Sequence, residues 1–396
     1  MRVLYVALDQ QVPGTLGGSV HVQAVAEGLA QLGHEVHVAA REDLGFRRGS
    51  DPVPQGSDPC LNPRSFTLHP MAPPFGLPQL RWARRSAITQ LARRIGAQTI
   101  IERYYNFGGE GIVSARRLRV PAVLEVNAPV IDYPGSAKAR LDRLLVVEPM
   151  RRWRDRLCRM TDLFVTPSAA ILPEWVDRRR VLEIEWGADV DRFRPGVDGP
   201  LPFARDDQRI LCVFAGAFRS WHGVVHLSET LARLNAAGDS RFGAVLIGDG
   251  PERDAAERAA RDVPGIVFTG AIPHDRLPAC LAAADIGVAP FDPAKHPPLS
   301  LGFYWSPLKI FEYMAAGLPV VAPALPRLER LVENGREGVL YNPDDPGALA
   351  RALATLADAT VRQRLGAAAR DRVVREFSWR AHCAALDARL QRLVAA

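Results

Sequence analysis

Residues 306–322 read SPLKIFEYMAAGLPVVA, and their pattern changes character once, at Gly317. Up to that glycine the apolar side chains recur at helical spacing, and Pro307 stands at an early position, where its missing N–H is no loss. Gly317 closes the helix. Residues 319–322 are then a short, uninterrupted apolar run, as expected of a strand buried on both faces. A helix followed at once by a buried strand is one step of a parallel sheet with helices on its faces.

Moving outward, the same step repeats. In the second half, strands are expected at 210–215, 244–247, 266–269, 285–290 and 319–322, with a helix at 308–316 and two or three more helices after Asp344. In the first half, strands are expected at 3–8, 35–40, 99–102, 122–126 and 163–166, with helices at 20–32, 80–95 and 141–160. Residues 43–78 are rich in Pro and Gly and read as a long irregular loop. Residues 193–208, FRPGVDGPLPFARDDQ, combine Pro, Gly and charge between the two blocks and read as a linker. With 396 residues the chain exceeds one ordinary core. The expected fold class is therefore α/β, two Rossmann-like doubly wound domains facing across a cleft: residues 1–192, and residues 209–376 followed by a final helix at 377–396. Ligands of such sheets bind beyond the carboxyl ends of the strands.

Composition excludes several classes. The chain is 47% hydrophobic and 24% charged, near the globular average, so wholesale disorder is not expected. No window approaches eighteen uncharged apolar residues, and the opening MRVLYVALDQ reads as a strand rather than a signal peptide. Five cysteines are scattered singly, suggesting neither a zinc site nor a disulfide framework, and a reducing cytoplasm is the expected location. The net charge of +6 lies wholly in residues 1–195, since 196–396 carry equal numbers of acidic and basic residues. Arginine runs at 81–94, 116–119 and 151–156 fall in helical patterns. They read as solvated helix faces or as a field that attracts an anionic acceptor or an acidic membrane surface. Nucleic acid is not expected, because aromatics do not interleave with these runs.

Four motifs bear on chemistry. Gly17 and Gly18 follow the first strand and open a helix, where backbone amides can face an anion; the alternative is simple turn chemistry. No Gly-Lys-[Ser/Thr] ending marks a P-loop, and Gly248-Asp249-Gly250 lacks the third glycine of a dinucleotide fingerprint, leaving Gly248 as a phosphate-approach turn. Asp189 and Asp191 could in principle hold a metal, but they abut Arg192 and Arg194 and read as structural. Ser306, Pro307 and Leu308 form a helix N-terminus suited to an anion, and Lys309 places a cation there against the helix dipole. The plain alternative is an i,i+3 surface pair of Lys309 with Glu312.

The run at 306–322, with GAFRSWHG at 216–223, IGDGPE at 247–252, the opening GGSVHVQAVAEGLAQLGHEVHV and LEVNAP at 124–129, resembles retaining glycosyltransferases of family 4 in the family's order and over nearly the whole chain. The resemblance implies a GT-B fold, with the acceptor on the first domain, a UDP- or GDP-sugar donor mainly on the second, and a last helix crossing back. It implies no metal or cofactor, the nucleotide-sugar being a substrate. By matching motif, Gly18 would approach the donor phosphates, Arg219 and His222 would clamp the diphosphate, backbone near Ile272 would meet the base, and Glu312 would hold the ribose hydroxyls.

The chain has His222 where many members have Lys, Tyr304 where many have Glu, and Asn127 where a His is often found. Retention in the family is thought to proceed by front-face attack, with the leaving diphosphate taking the acceptor proton, so charge stabilisation by Arg219 and Lys309 carries the expectation. Glu125 and Asn127, at the carboxyl end of a strand, are the expected sugar or acceptor contacts, and the alternative for Glu125 is a partner for Arg103. Other readings are a nucleotide-sugar 2-epimerase of the same fold, or a sugar-nucleotide-binding protein that has lost catalysis.

Overall fold

The computed structural model describes residues 1–14, 17–41, 65–132 and 148–395. The chain divides into two compact units, Met1–Trp186 with His382–Ala396, and Gly187–Ala381. The stretch 193–208, expected as a linker, falls within the second unit, where Phe193 is buried in the core and its carbonyl accepts a hydrogen bond from Arg370.

In the first unit the strands are β1 (Arg2–Gln11), β2 (Glu35–Arg41), β3 (Thr67–Pro70), β4 (Thr99–Arg103), β5 (Ala122–Glu125), β6 (Leu163–Thr166) and β7 (Val181–Glu183). They lie in the order β3-β2-β1-β4-β5-β6-β7, every pairing parallel. Chain direction across the sheet reverses between β1 and β4, which is where a doubly wound sheet opens a crevice at its carboxyl edge. The second unit repeats the plan with β8 (Ile210–Ala215), β9 (Phe242–Ile247), β10 (Ile266–Gly270), β11 (Ile286–Val288), β12 (Val320–Pro323) and β13 (Gly338–Tyr341). Their order is β10-β9-β8-β11-β12-β13, again parallel, and the reversal falls between β8 and β11.

The helix Leu308–Ala315 crosses from β11 to β12 and buries Ile310, Phe311, Tyr313 and Met314 completely. Tyr313 fixes its position. The Ala215 N–H at the end of β8 donates to the Tyr313 hydroxyl at 2.8 Å, and a side chain on Gly287 of β11 would strike the Tyr313 ring. The first turn of this helix therefore stands over the β8–β11 reversal.

Three edge strands were not expected from the sequence. β3 lies inside the stretch 43–78 read as irregular, β7 has three residues, and β13 precedes the last helices. Edge strands are half solvated and short, so they lack the continuous apolar run that marks the central ones. The expected helix 80–95 is in fact a 3₁₀ segment, Pro78–Arg84, followed by an α-helix, Arg85–Ile95. Residues 141–147 of the expected helix 141–160 lie outside the described residues, and Glu148–Met160 is helical. The final helix Trp379–Ala395 belongs to the first unit from His382 onward, burying Cys383, Leu386 and Leu390. Among the described residues, no helix is long and apolar enough to cross a membrane, and Cys158, Cys212, Cys280 and Cys383 are buried and free.

Candidate active site

In the second unit, glycines let loops touch above the β8–β11 reversal. Gly216 follows β8 at φ 139°, and Gly248 follows β9 at φ 137°. A Cβ on Gly248 would lie 2.0 Å from the Gly216 carbonyl oxygen, so the two turns meet backbone to backbone. At the other end of the same loop, a Cβ on Gly223 would lie 1.8 Å from the Pro290 carbonyl oxygen beyond β11. The segment 216–223 is thus held across the reversal by backbone contact at both ends.

Lys309 reaches into this place from the helix above. Its Nζ is 4.1 Å from the ring centroid of Phe214 and 5.3 Å from that of Phe291. The ammonium is buried and has no hydrogen-bond partner among the described residues. Burial pushes its pKa down to about 7, against a smaller upward pull from Glu312. Glu312, one turn on, makes no ion pair with Lys309 and faces His274, whose Nε2 is 3.5 Å from its carboxylate. The surface-pair alternative for Lys309 therefore does not describe the structure.

The helix terminus differs from expectation in one respect. Pro307 has no N–H and the Leu308 amide donates to the Ser306 carbonyl at 3.0 Å, so this terminus offers an anion the Lys309 side chain rather than those amides. Ser306 and Tyr304 are buried, and the Tyr304 ring stands edge-on to Trp305 at 5.1 Å. Ile272 is half-buried just beyond β10.

Arg219 is exposed and makes no ion pair or side-chain hydrogen bond among the described residues. His222 bonds within its own loop. Its Nδ1 is 2.5 Å from the Ala217 carbonyl oxygen, which can only accept, so Nδ1 carries the proton. Burial, with Lys309 and Arg219 nearby, pushes its pKa down to about 3 despite that bond. The ligand-free ring is neutral and Nε2 is an acceptor, so His222 orders the loop and adds no cation of its own.

In the first unit, the carboxyl edge of the sheet gathers a second set of groups. Glu125 closes β5 and is buried; it accepts hydrogen bonds from Arg103 at 2.7 Å, from Tyr5 and from Asn127, with His21 Nε2 at 3.0 Å. Burial alone would raise its pKa, but His21, Arg103 and the Tyr5 bond together hold the carboxyl well below the usual range. Glu125 is an anchored anion paired with Arg103, not a free base. Asn127 in turn accepts from the Trp186 indole at 2.8 Å, and His21 packs against Trp186 with ring centroids 4.4 Å apart.

Beside this network Arg81, fully buried, meets Asp9 at 2.7 Å and Glu110 at 2.6 Å, with Glu102 at 3.7 Å. Gly17 and Gly18 open the helix Gly17–Gln31, and a Cβ on Gly18 would meet the side chain of Gln10 first. Arg81, expected in a solvated or anion-attracting arginine run, is instead buried among these carboxylates, and Tyr5, His21 and Trp186 were not singled out in the sequence. Each lies in an apolar or mixed stretch where one polar side chain reads as an ordinary core or surface residue, and only the fold brings them to one edge.

No group of three or more His, Cys, Asp or Glu among the described residues is placed to hold a metal ion. Asp189 instead accepts from the Arg192 amide at 3.1 Å, and Asp191 lies 3.8 Å from Arg380.

Residues 16–199 match the family model described as Glycosyltransferase Family 4, and residues 209–359 match that described as Glycosyl transferases group 1. The chain belongs to glycosyltransferase family 4. This glycosyltransferase is 27% identical to the D-inositol 3-phosphate glycosyltransferase of Acidothermus cellulolyticus, over 89% of this chain and 80% of that one. It is 26% identical to a GDP-mannose-dependent alpha-mannosyltransferase of Corynebacterium glutamicum, over 98% of this chain and 87% of that one. In fold it is similar to the sucrose-phosphate synthase of Thermosynechococcus elongatus, with a TM-score of 0.71 at 19% identity, covering 100% and 99% of the two chains. Anabaena HepE in complex with UDP-glucose gives a TM-score of 0.67 at 17% identity, covering 100% and 99%. The two parallel doubly wound sheets are those of the GT-B fold.

Proposed function

We propose that this glycosyltransferase takes a hexosyl group from a UDP- or GDP-sugar bound in the second unit and delivers it, with retention, to a hydroxyl of a small-molecule, lipid or glycan acceptor at the first. The observation that carries this reading is the Lys309 ammonium: buried, without a hydrogen-bond partner among the described residues, and against the backbone turn of Gly216. An isolated buried cation is costly, and an anion docking there relieves the cost. A diphosphate lying across Gly216 meets Lys309 on one side and the exposed Arg219 from solvent. Glu312 lies on the same helix, one turn away, where its carboxylate can accept two hydrogen bonds from a ribose diol. Names among the relatives support the donor class, since one is GDP-mannose-dependent and one structural neighbour holds UDP-glucose.

In the proposed reaction the sugar–phosphate bond breaks first. Negative charge then grows on the diphosphate, where Lys309 and Arg219 stabilise it. The acceptor hydroxyl attacks from the same face and passes its proton to a departing phosphate oxygen. No carboxylate nucleophile is required, which accords with Glu125 being tied to four partners and with Tyr304 standing where many members have Glu. No metal is required either, because side-chain cations supply the charge. Glu125 and Asn127 position the acceptor edge of the first unit through Arg103 and Trp186, and a negatively charged acceptor suits the basic charge of that half.

A panel of UDP- and GDP-hexoses, each with and without candidate acceptors, tests the reading: nucleoside diphosphate release that depends on acceptor, with a product heavier by one hexose, is expected, and turnover unchanged by EDTA. Release of nucleotide with an altered free sugar and no acceptor would instead identify an epimerase.

A further inference from the structure

We propose that the first unit carries a second anion site, at the amino ends of its strands, built for a phosphate group bearing two or more negative charges. Arg116, Arg119, Arg159 and Arg180 converge on a cavity of about 690 Å³, and Asp162 is the one carboxylate among the described residues of its lining. Pro121, Asp162 and Arg180 immediately precede β5, β6 and β7, so the cavity lies at the opposite edge of the sheet from Glu125. With four residues in β5, the separation is roughly 13 Å. This is a different place from the acceptor edge, and glycosyl transfer makes no use of it.

Two of the four guanidinium groups are already engaged. Arg116 donates to the Met160 carbonyl and to Asp162, both at 2.6 Å, and Arg180 donates to the carbonyls of Cys158 and Thr161. These bonds cap the carboxyl end of the helix Glu148–Met160 and neutralise Asp162, whose other oxygen is taken by the Ala122 amide at 2.9 Å. The other two are on offer. Arg159 lies over the Trp175 ring at 5.0 Å, and Arg119 makes no side-chain hydrogen bond or ion pair among the described residues.

Arg119 also pays no heed to backbone preference. It ends the helix Glu110–Leu118 at φ 58°, the left-handed conformation in which glycine is the usual choice, and among the described residues only Phe75 is another non-glycine with positive φ. An arginine there costs about 1 kcal/mol relative to glycine. In that conformation it adds a further positive charge to the lining of the cavity.

The chemistry selects phosphate. Two free guanidinium groups from separate segments require oxygens presented in two directions, and a tetrahedral phosphate offers them to planar forks while a single carboxylate does not. Val120, Pro121 and Leu393 supply an apolar flank for whatever carries the phosphate. The source of that phosphate is either a soluble ester or a lipid headgroup.

The test uses inorganic pyrophosphate, titrated calorimetrically into the full-length protein, into Lys309→Met, which lacks the cation of the second unit, and into Arg119→Gly/Arg159→Gln. Binding that persists in Lys309→Met, weakens steeply with salt, and drops at least tenfold in the double variant is expected. Arg119→Gly relaxes the backbone, so the double variant should melt no lower than the parent, separating lost binding from lost folding. Flotation with vesicles containing phosphatidic acid distinguishes the source: flotation that requires Arg119 and Arg159, without binding of soluble pyrophosphate, assigns the site to a lipid headgroup. Pyrophosphate binding abolished by Lys309→Met and untouched by the double variant, with no flotation that depends on these arginines, overturns the proposal.

Discussion

A Cβ built on Gly216 would lie 3.0 Å from Lys309 Nζ, so the ammonium is pressed against a bare stretch of backbone at the end of β8. Among the described residues nothing balances it at hydrogen-bond distance, and the rings of Phe214 and Phe291 lie beside it. Lys309→Met should therefore separate binding from folding. Donor affinity should fall at least tenfold, since a hydrogen bond to a charged group contributes about 1.5–3 kcal/mol. The melting temperature should hold or rise, because an unpaired buried cation is replaced by an apolar side chain of similar length. Calorimetric titration with nucleotide sugars and thermal melts measure the two effects.

The same group gives donor binding a pH dependence. In the free protein Lys309 is pushed down to about 7, and a bound diphosphate holds it protonated. Affinity should thus be greatest below pH 7 and weaken as pH rises above it, with proton uptake on binding. For the ligand-free fold the sign is opposite: a depressed lysine means the unfolded chain binds more protons between about 7 and the ordinary lysine value, so stability rises with pH across that window. Intact nucleotide sugars are the right probe, because their diphosphate has no proton to lose near neutrality. Titrations from pH 6 to 9 in two buffers of different ionisation enthalpy should show the slope in the parent and its absence in Lys309→Arg.

Much of this site was legible in the sequence because it is local. Lys309 and Glu312 sit one turn apart in a helix whose start and stop are marked by Pro307 and Gly317, and the strand that follows is apolar throughout. What the sequence could not reveal is what each side chain meets. Glu312 turns to His274, and the His222 Nδ1–H donates a hydrogen bond to the Ala217 carbonyl, because loops from other strands converge there. The first unit was less legible still. Tyr5, His21, Arg81, Arg103, Glu125 and Trp186 come from six separate segments, and no spacing joins them. β3, β7 and β13 were missed for a simpler reason, since a half-solvated edge of three or four residues has no period to read.

Arg81 gives a test of the buried charges themselves. Three carboxylates, Asp9, Glu102 and Glu110, surround one guanidinium, so two negative charges are in excess when all three are ionised. Burial, followed by the proximity of Glu110, pushes Glu102 up to about 8, against the pull of Arg81 and of the amides of Ile112 and Gly109. A carboxyl raised in the fold stabilises it fully below the unfolded value and loses that contribution as pH climbs toward 8. Glu102→Gln should flatten the fall in melting temperature between pH 5 and 8 and be the more stable protein at pH 8. Arg81→Met should lower stability by about 3–5 kcal/mol, the usual consequence of removing one partner from a buried ion pair. Chemical denaturation across that pH range measures both.

Glu312 and Tyr304 stand eight residues apart, where many family members have two carboxylates, and here they should differ in kind. If Glu312 accepts from the ribose diol, Glu312→Ala leaves buried hydroxyls without a charged acceptor and should weaken donor binding by about 1.5–3 kcal/mol, at least tenfold. Tyr304 is 9% exposed and stands edge-on to Trp305, which itself lies 4.6 Å from the Trp221 ring beside His222. A carboxylate substituted into that aromatic wall is desolvated and would repel a diphosphate bound as proposed. Tyr304→Glu should therefore fail to raise turnover and should raise the KM for donor, while Tyr304→Phe, which keeps the edge-on ring, should stay near the parent. Steady-state kinetics on the three variants decides the matter. Turnover raised severalfold by Tyr304→Glu would mean that the position is catalytic and that the ring replaces a working carboxylate, and unchanged donor affinity in Glu312→Ala would remove the ribose from that helix.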